Sequence, residues 1–327
     1  MPLVSIVILT KNAATYLPET LPAIFSQQAD FEYEVLAIDS GSQDGSLELL
    51  SRFPVRVVQI SPESFNHGET RNLGARSASP ESQFVVFLSH DALPANAHWL
   101  QGLVDPLVND PQVAGAFSRH IPRPGANAAV VRQLVQLTQS GGAKRLVKQM
   151  PASEAEFQAQ KFYYVFFSNT SSILRKSVWE KWPFPKADFA EDAIWAEQVL
   201  RAGHKIVFEP ESIIIHSHNY PFIEQFRQNV DHAYAMNQLF HPEFYRDHRV
   251  WFHLLAGLPQ QVWQDCKFVM NDSYFKQVSL NKKFVTCFIS PAWHFATMSG
   301  SWFGAHLENM PDWLKGIVSR QERIKRT

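Results

Sequence analysis

The sequence predicts an α/β protein: a mostly parallel sheet with helices on both faces, followed by a helical C-terminal region. Three observations carry this reading. Short runs rich in β-branched apolar residues alternate with segments of helical apolar spacing from Val4 to about Tyr220. Polar clusters follow the ends of several of these runs, where open α/β sheets bind ligands. From Phe222 onward the spacing turns helical, with Phe222, Phe226, Val230 and Tyr234 four apart.

Taken in order, Val4 to Leu9 reads as a buried strand, and Leu17, Leu21, Ile24 and Phe25 recur as on a helix. Glu34 to Ile38 is a second strand, and Leu47, Leu49 and Leu50 lie on a short helix. Arg56 to Ile60 is a third strand, Thr70 to Ser77 a helix, and Phe84 to Leu88 a fourth strand. Trp99, Leu103 and Leu107 mark the next helix, and Val113 to Phe117 is a further strand before a less regular middle. Ile213 to His218 is the last strong strand signal. Strands that alternate with helices imply parallel pairing and crossover helices. A boundary between Tyr220 and Arg246 separates an α/β domain, 1–220, from a helical aromatic-rich region, 221–327; no Gly/Ser linker marks it.

Composition narrows the class. The chain has 327 residues, enough for about two domains. Apolar residues are 45% and charged residues 19%, as in folded globular proteins. Thirty basic residues face 31 acidic ones, without the basic excess of a nucleic-acid binder. Cys266 and Cys287 are too few for a disulfide scaffold and lack metal-type spacing. The N-terminal stretch has no secretory pattern. The best apolar stretch, Phe284 to Met298, contains Pro291 and His294 and is shorter than a membrane span. The expected location is the cytoplasm, with a peripheral position at the inner face of the cell membrane as an option. Many of the 25 Phe, 9 Trp and 8 Tyr fall after Tyr220, either as core packing or as a surface that meets lipid.

Four polar clusters end the predicted strands: Thr10-Lys11-Asn12, Asp39 to Gly45, Ser89-His90-Asp91, and His216-Ser217-His218. Asp44 or Ser46 also suits a helix N-cap. The Gly-rich dinucleotide and phosphate-loop signatures are missing, as are His-Glu-x-x-His and Gly-x-Ser-x-Gly. Asp39 can accept the N3–H of a pyrimidine or a ribose hydroxyl, or can simply hold its own turn. Asp91 can bind Mg²⁺ or Mn²⁺, which would hold a diphosphate. His216 and His218, two apart on a strand, share a face and can add a nitrogen ligand or contact the diphosphate. Glu191-Asp192 opens a helix whose dipole favours acids; Asp192 there can also serve as a general base. A helix N-terminus should lower its pKa and weaken that base.

Together these motifs resemble the inverting glycosyltransferases of family 2, with the GT-A fold. The resemblance runs from Val4 to about Tyr220 on Val7 to Asn12, Asp39 to Ser46, Ser89 to Asp91 and Glu191-Asp192. Phe65 to Gly74 and Phe208 to Tyr220 are similar to the rhamnosyltransferase-like branch, whose members use dTDP-L-rhamnose to build bacterial surface polysaccharide. Trp302-Phe-Gly and Pro311 to Lys315 are similar to the tails of such enzymes.

The resemblance implies that Thr10, Asn12 and Asp39 hold base and ribose and that Arg71 contacts the nucleotide or its phosphates, with Ser40 and His90 also at the nucleotide. It implies Asp91 as the surviving acid of an Asp-x-Asp metal motif, with Ser89 at its first position. His216 and His218 would complete the site for a divalent Mg or Mn cation. Asp192 would be the catalytic base, with Glu191 beside it. Ser118-Arg119-His120 departs from the family's Gly-Arg-Gln. The implied reaction is one displacement with inversion, onto a saccharide or lipid-linked saccharide. The region after Phe222 would contact acceptor, membrane or another protomer. A UDP-hexose donor, such as UDP-galactose or UDP-glucose, and an inactive GT-A binding module are the alternatives.

Overall fold

A computed structural model describes residues 3–139, 144–187, 189–240, 248–271, 275–276 and 278–320. The chain forms two compact units, Met1–Ile121 with Thr138–His216, and Pro122–Leu137 with Ser217–Thr327.

The first unit begins β1 (Val4–Thr10), α1 (Leu17–Phe25), β2 (Tyr33–Asp39), α2 (Ser46–Ser51), β3 (Val55–Gln59) and α3 (His67–Ser77). It continues β4 (Phe84–Ser89), β5 (Leu93–Pro94), α4 (Trp99–Asn109) and β6 (Val113–Ile121). After α5 (Ala128–Gln139) come β7 (Leu146–Lys148), α6 (Glu154–Ala159), α7 (Lys161–Val165), β8 (Ser171–Arg175), α8 (Lys176–Trp179), α9 (Glu191–Arg201) and β9 (Lys205–Ile215).

The sheet order is β3-β2-β1-β4-β8-β6-β9-β5, with β7 also paired to β9. The longer ladders, β1 with β2 and β4, β2 with β3, and β6 with β9, are parallel. β8 runs antiparallel between β4 and β6. The carboxyl ends of β1, β2, β4, β6 and β9 therefore share one edge, and β8 starts there. Ile6, Ile8, Val86 and Leu88 are fully buried in one cluster with Leu17, Leu21, Trp99 and Leu103 of α1 and α4. Val7, on the opposite face, lies against α3 at Gly74. Burial on both faces explains why these strands read as unbroken apolar runs.

Three details differ from the sequence reading. β8 lies in the segment read as irregular, because it opens on two buried serines, Ser171 and Ser172, instead of an apolar run. Trp99 Nε1 donates to Ser171 Oγ (2.9 Å), which lies 2.6 Å from Ser118 Oγ, so these hydroxyls are satisfied inside the core. β9 ends at Ile215, so His216 and His218 lie beyond the strand and the argument from a shared strand face does not apply. The N-cap of α2 is Gly45 in the left-handed region, without a side-chain cap; Asp44 instead accepts from the Ser46 N–H (3.1 Å).

The second unit holds α10 (Phe222–Phe240), α11 (His248–Asn271), α12 (Leu280–Ala305), α13 (Asp312–Val318) and most of α5. A buried polar knot ties α5 to this unit. Asp265, fully buried, accepts from Arg132 Nε (2.6 Å), Ser290 Oγ (2.6 Å) and His294 Nε2 (2.8 Å). Burial pushes the Asp265 pKa up, but bonds from His294, Ser290 and Arg132 outweigh it and leave the pKa lowered. Among the described residues, no helix is long and apolar enough to cross a membrane.

Candidate active site

At the shared edge, the β1 and β2 ends are tied together by side chains. Asp39 is fully buried, and its carboxylate accepts from Gly41 N–H (3.0 Å), Ser42 N–H (2.9 Å), Ser42 Oγ (2.5 Å) and Thr10 Oγ1 (3.2 Å). These bonds use the roughly four acceptor positions of a carboxylate, so Asp39 shapes the 39–45 loop. Ser40 Oγ donates to the Thr10 carbonyl (3.2 Å). Asn12 has φ 48°, in the left-handed region, and its Oδ1 accepts from Gln43 N–H (2.9 Å). Thr10, Asn12, Asp39 and Ser40 thus form one network, with Asn12 exposed at its surface.

The β4 end supplies the next group. His90 Nδ1 donates to the Leu9 carbonyl (3.0 Å), which fixes its ring over the end of β1. Asp91 Oδ2 lies 3.6 Å from His216 Nε2. Asp91, His216 and His218 each offer a ligand atom, all within 4.8 Å of one another. Ligand atoms around one octahedral cation with bonds of about 2.1 Å lie about 3–4 Å apart, so a small adjustment closes this set. One carboxylate with two imidazoles fits Mn²⁺ better than Mg²⁺, which prefers oxygen. His120 lies edge-on to His216, with centroids 5.7 Å apart; burial and then the His216 charge push its pKa down to about 3.

The acid pair at the start of α9 lies close by. The Ser89 N–H donates to the Thr170 carbonyl (2.9 Å), which brings the segment before β8 beside the Ser89–Asp91 turn. From that segment the Asn169 N–H donates to Asp192 Oδ2 (3.3 Å), and Asn169 Nδ2 donates to Glu191 Oε1 (3.1 Å). The two acids divide by environment. Glu191 is buried and accepts from Arg71 Nη1 (2.7 Å). Burial pushes its pKa up, but Arg71, His67 and Asn169 outweigh that and leave it lowered. Asp192 is partly exposed, and burial followed by the Glu191 charge raises its pKa to about 7. The helix N-terminus was expected to lower it. Desolvation and an adjacent carboxylate win instead, and a carboxyl that titrates near neutral pH has the proton affinity that general-base chemistry requires.

Arg71 is 7% exposed and engages Glu191 and the His67 carbonyl, so it faces the acid pair. The rest of its motif clamps the loop ahead of α9. Asn66 caps α3 by accepting from Glu69 N–H (3.2 Å) and donates to the Ala187 carbonyl (3.0 Å). Asn72 donates to the Phe184 carbonyl (2.8 Å) and accepts from Trp179 Nε1 (2.9 Å). A Cβ on Gly68 would lie 2.1 Å from the Pro185 carbonyl oxygen, so only glycine allows this approach. The loop ends on Ala190 with φ 59°, which costs an alanine about 1–2 kcal/mol and which the clamp sustains. Asn66, His67, Asn72 and Asn169 are the site residues that the sequence reading missed. The first three lie in the Phe65 to Gly74 motif, which by itself does not show these roles; Asn169 has no signal beyond a polar run before a strand that the apolar pattern does not mark.

This edge carries a hydrogen-bonded loop network at the β1 and β2 ends, a carboxylate–imidazole cluster and an acid with a raised pKa. A family model described as Glycosyl transferase family 2 matches residues 5–182. The chain belongs to glycosyl transferase family 2. This glycosyltransferase is 33% identical over 233 residues to O-antigen chain rhamnosyltransferase WbaN of Salmonella anatum, covering 71% of each chain. It is 32% identical over 231 residues to O-antigen chain rhamnosyltransferase RfbN of Salmonella typhimurium, covering 70% of each. Its fold is GT-A. It is similar to mannosyltransferase PcManGT from Pyrobaculum calidifontis, solved with GDP-Man and Mn²⁺, at TM-score 0.57 and 18% identity over 94% of this chain and 87% of that one. It is also similar to S. aureus TarS 1-349 in complex with UDP-GlcNAc, at TM-score 0.54 and 15% identity over 94% and 91%.

Proposed function

We propose that this glycosyltransferase moves L-rhamnose from dTDP-L-rhamnose, with inversion, onto a saccharide or lipid-linked saccharide of an O-antigen chain. The observation that supports a general base at the site is Asp192 at the start of α9, with a raised pKa beside the buried Glu191–Arg71 pair, and a single base-assisted displacement inverts the configuration. Similarity to two O-antigen rhamnosyltransferases over about 70% of the chain supports the sugar and acceptor class.

In this reading the catalytic domain is 1–220, and the 221–327 region serves the acceptor, the membrane or another protomer. Base and ribose sit on the loop that Asp39 shapes together with Thr10 and Ser40, where exposed Asn12 offers polar groups, and His90 stands beside the diphosphate. Asp192 takes the proton from the acceptor hydroxyl. That oxygen attacks the anomeric carbon opposite the dTDP leaving group, so the configuration inverts. Glu191 keeps the Asp192 carboxylate basic, and Arg71 keeps Glu191 charged in its buried place. Asp91, His216 and His218 would hold a divalent cation, whose chemistry is to neutralise charge on the departing diphosphate. The Mn²⁺ recorded with the mannosyltransferase is consistent with the imidazole-containing set.

A donor screen tests the reading. The purified chain with Mn²⁺ is melted with dTDP-L-rhamnose, UDP-galactose, UDP-glucose and GDP-mannose, and products are analysed by mass spectrometry. A shift in Tm and transfer with dTDP-L-rhamnose alone are expected. Transfer from a UDP-hexose without rhamnosyl transfer would overturn the donor assignment.

A further inference from the structure

The second unit carries an apolar helix face that the transfer reaction does not use. On α12, Leu280, Phe284, Val285, Phe288, Ile289 and Phe295 are exposed, Phe288 at 86%. Their spacing puts Leu280, Phe284 and Phe288 in one row, with Phe295 continuing it two turns further on. The opposite face buries Ser290, Trp293, His294 and Ala296. Near its end the helix presses onto α10, where a Cβ on Gly300 would lie 2.5 Å from the Phe226 carbonyl oxygen and one on Gly304 would lie 2.2 Å from that of Val230. The C-terminal end of the inner face is therefore tightly packed through glycines, while the outer face carries large apolar side chains. Phe222, 47% exposed on α10, stacks on Phe295 and extends the patch.

Charge says what covers this face. From Pro259 to Ala305 the sequence has four lysines, Lys267, Lys276, Lys282 and Lys283, and two acids, Asp265 and Asp272. Asp265 is fully buried against Arg132 and His294, so it adds no surface charge. Lys282 and Lys283 stand in the opening of α12, which has no acid in its first turn. A helix dipole disfavours cations there, so these lysines do not serve helix stability. An apolar row flanked by lysines, on a helix too amphipathic to span, matches a helix lying in the headgroup plane of an anionic bilayer.

We propose that the exposed face of α12 is a docking surface for an anionic lipid bilayer, with Phe284 and Phe288 inserted and Lys282 and Lys283 at the headgroups. This deepens the proposed lipid-linked acceptor and rests on that reading for its purpose only. Vesicle binding is read without donor or acceptor, so the two fail separately.

The test is co-sedimentation of the full chain with vesicles of phosphatidylglycerol and phosphatidylcholine, against phosphatidylcholine alone. Strong binding to the first and at least about tenfold weaker binding to the second are expected. Phe284→Ser with Phe288→Ser should abolish both, and Lys282→Glu with Lys283→Glu should weaken anionic binding about tenfold or more. These side chains are at the surface, so all variants should melt like wild type. Failure of the wild-type chain to sediment with anionic vesicles would overturn the proposal. So would a dimer, seen by light scattering, that Phe288→Ser disperses while vesicle binding is unchanged, which would make the face a protomer contact.

Discussion

Replacing Asp192 by Asn separates catalysis from stability in opposite directions. The raised pKa, about 7 against an ordinary 3.8, means that folding penalises the ionised carboxylate. The sign follows from proton binding. Between about pH 4 and 7 the folded protein holds the proton more tightly than the unfolded chain, so wild-type stability falls as pH rises through that window. A gap of about three pH units corresponds to at most about 4 kcal/mol, and partial exposure and relaxation reduce it to about 1–3 kcal/mol. Asn cannot ionise, so Asp192→Asn should melt higher than wild type at pH 8, and the gain should vanish near pH 4. Glycosyl transfer should meanwhile fall at least about 10²-fold if Asp192 is the positioned base. Dissociation constants for dTDP, read by calorimetry, should not move. Transfer within about tenfold of wild type would remove Asp192 from the base role. A Tm gain of equal size at pH 4 and pH 8 would refute the charge argument.

Other perturbations probe the surrounding groups. Exhaustive EDTA treatment should abolish transfer and Mn²⁺ should restore it at least as well as Mg²⁺; Asp91→Ala should lose both activity and metal response, and full activity in EDTA would refute the carboxylate–imidazole site. Arg71→Ala leaves Glu191 buried without its ion-pair partner, so denaturant melts should show a loss of about 3–5 kcal/mol. An unchanged melt with weakened dTDP binding would instead place Arg71 on the nucleotide. Lys148 is 4% exposed, donates to the Phe166 carbonyl (2.8 Å), and burial pushes its pKa down to about 7. The unfolded chain binds that proton more tightly between about pH 7 and 10, so Lys148→Met should gain most relative to wild type at or below pH 7, and a pH-independent difference would contradict this.

What the sequence revealed follows from how each signal is encoded. β1, β2 and β4 are buried on both faces, so their apolar runs announce them. Their polar ends, Thr10, Asp39 and Ser89 to Asp91, stand out against those runs, and parallel topology brings them to one edge. β8 escaped because its inward positions include hydroxyls, satisfied by Trp99 and Ser118 in ways no local pattern shows. Asn169 escaped with it. The Asn66–Gly74 motif was visible, but its contacts with Phe184, Pro185 and Ala187 are over 100 residues away in the chain. The pKa of Asp192 was misjudged because the helix dipole is a local effect, whereas burial and the Glu191 charge depend on the packed site.

The most direct measurement of the central claim is the anomeric configuration of the product. Wild-type chain is incubated with dTDP-L-rhamnose, Mn²⁺ and a saccharide acceptor, and the new linkage is read by proton and carbon NMR. Single displacement by a hydroxyl that Asp192 deprotonates predicts a rhamnosyl linkage of configuration opposite to the donor. A product with retained configuration would contradict the account.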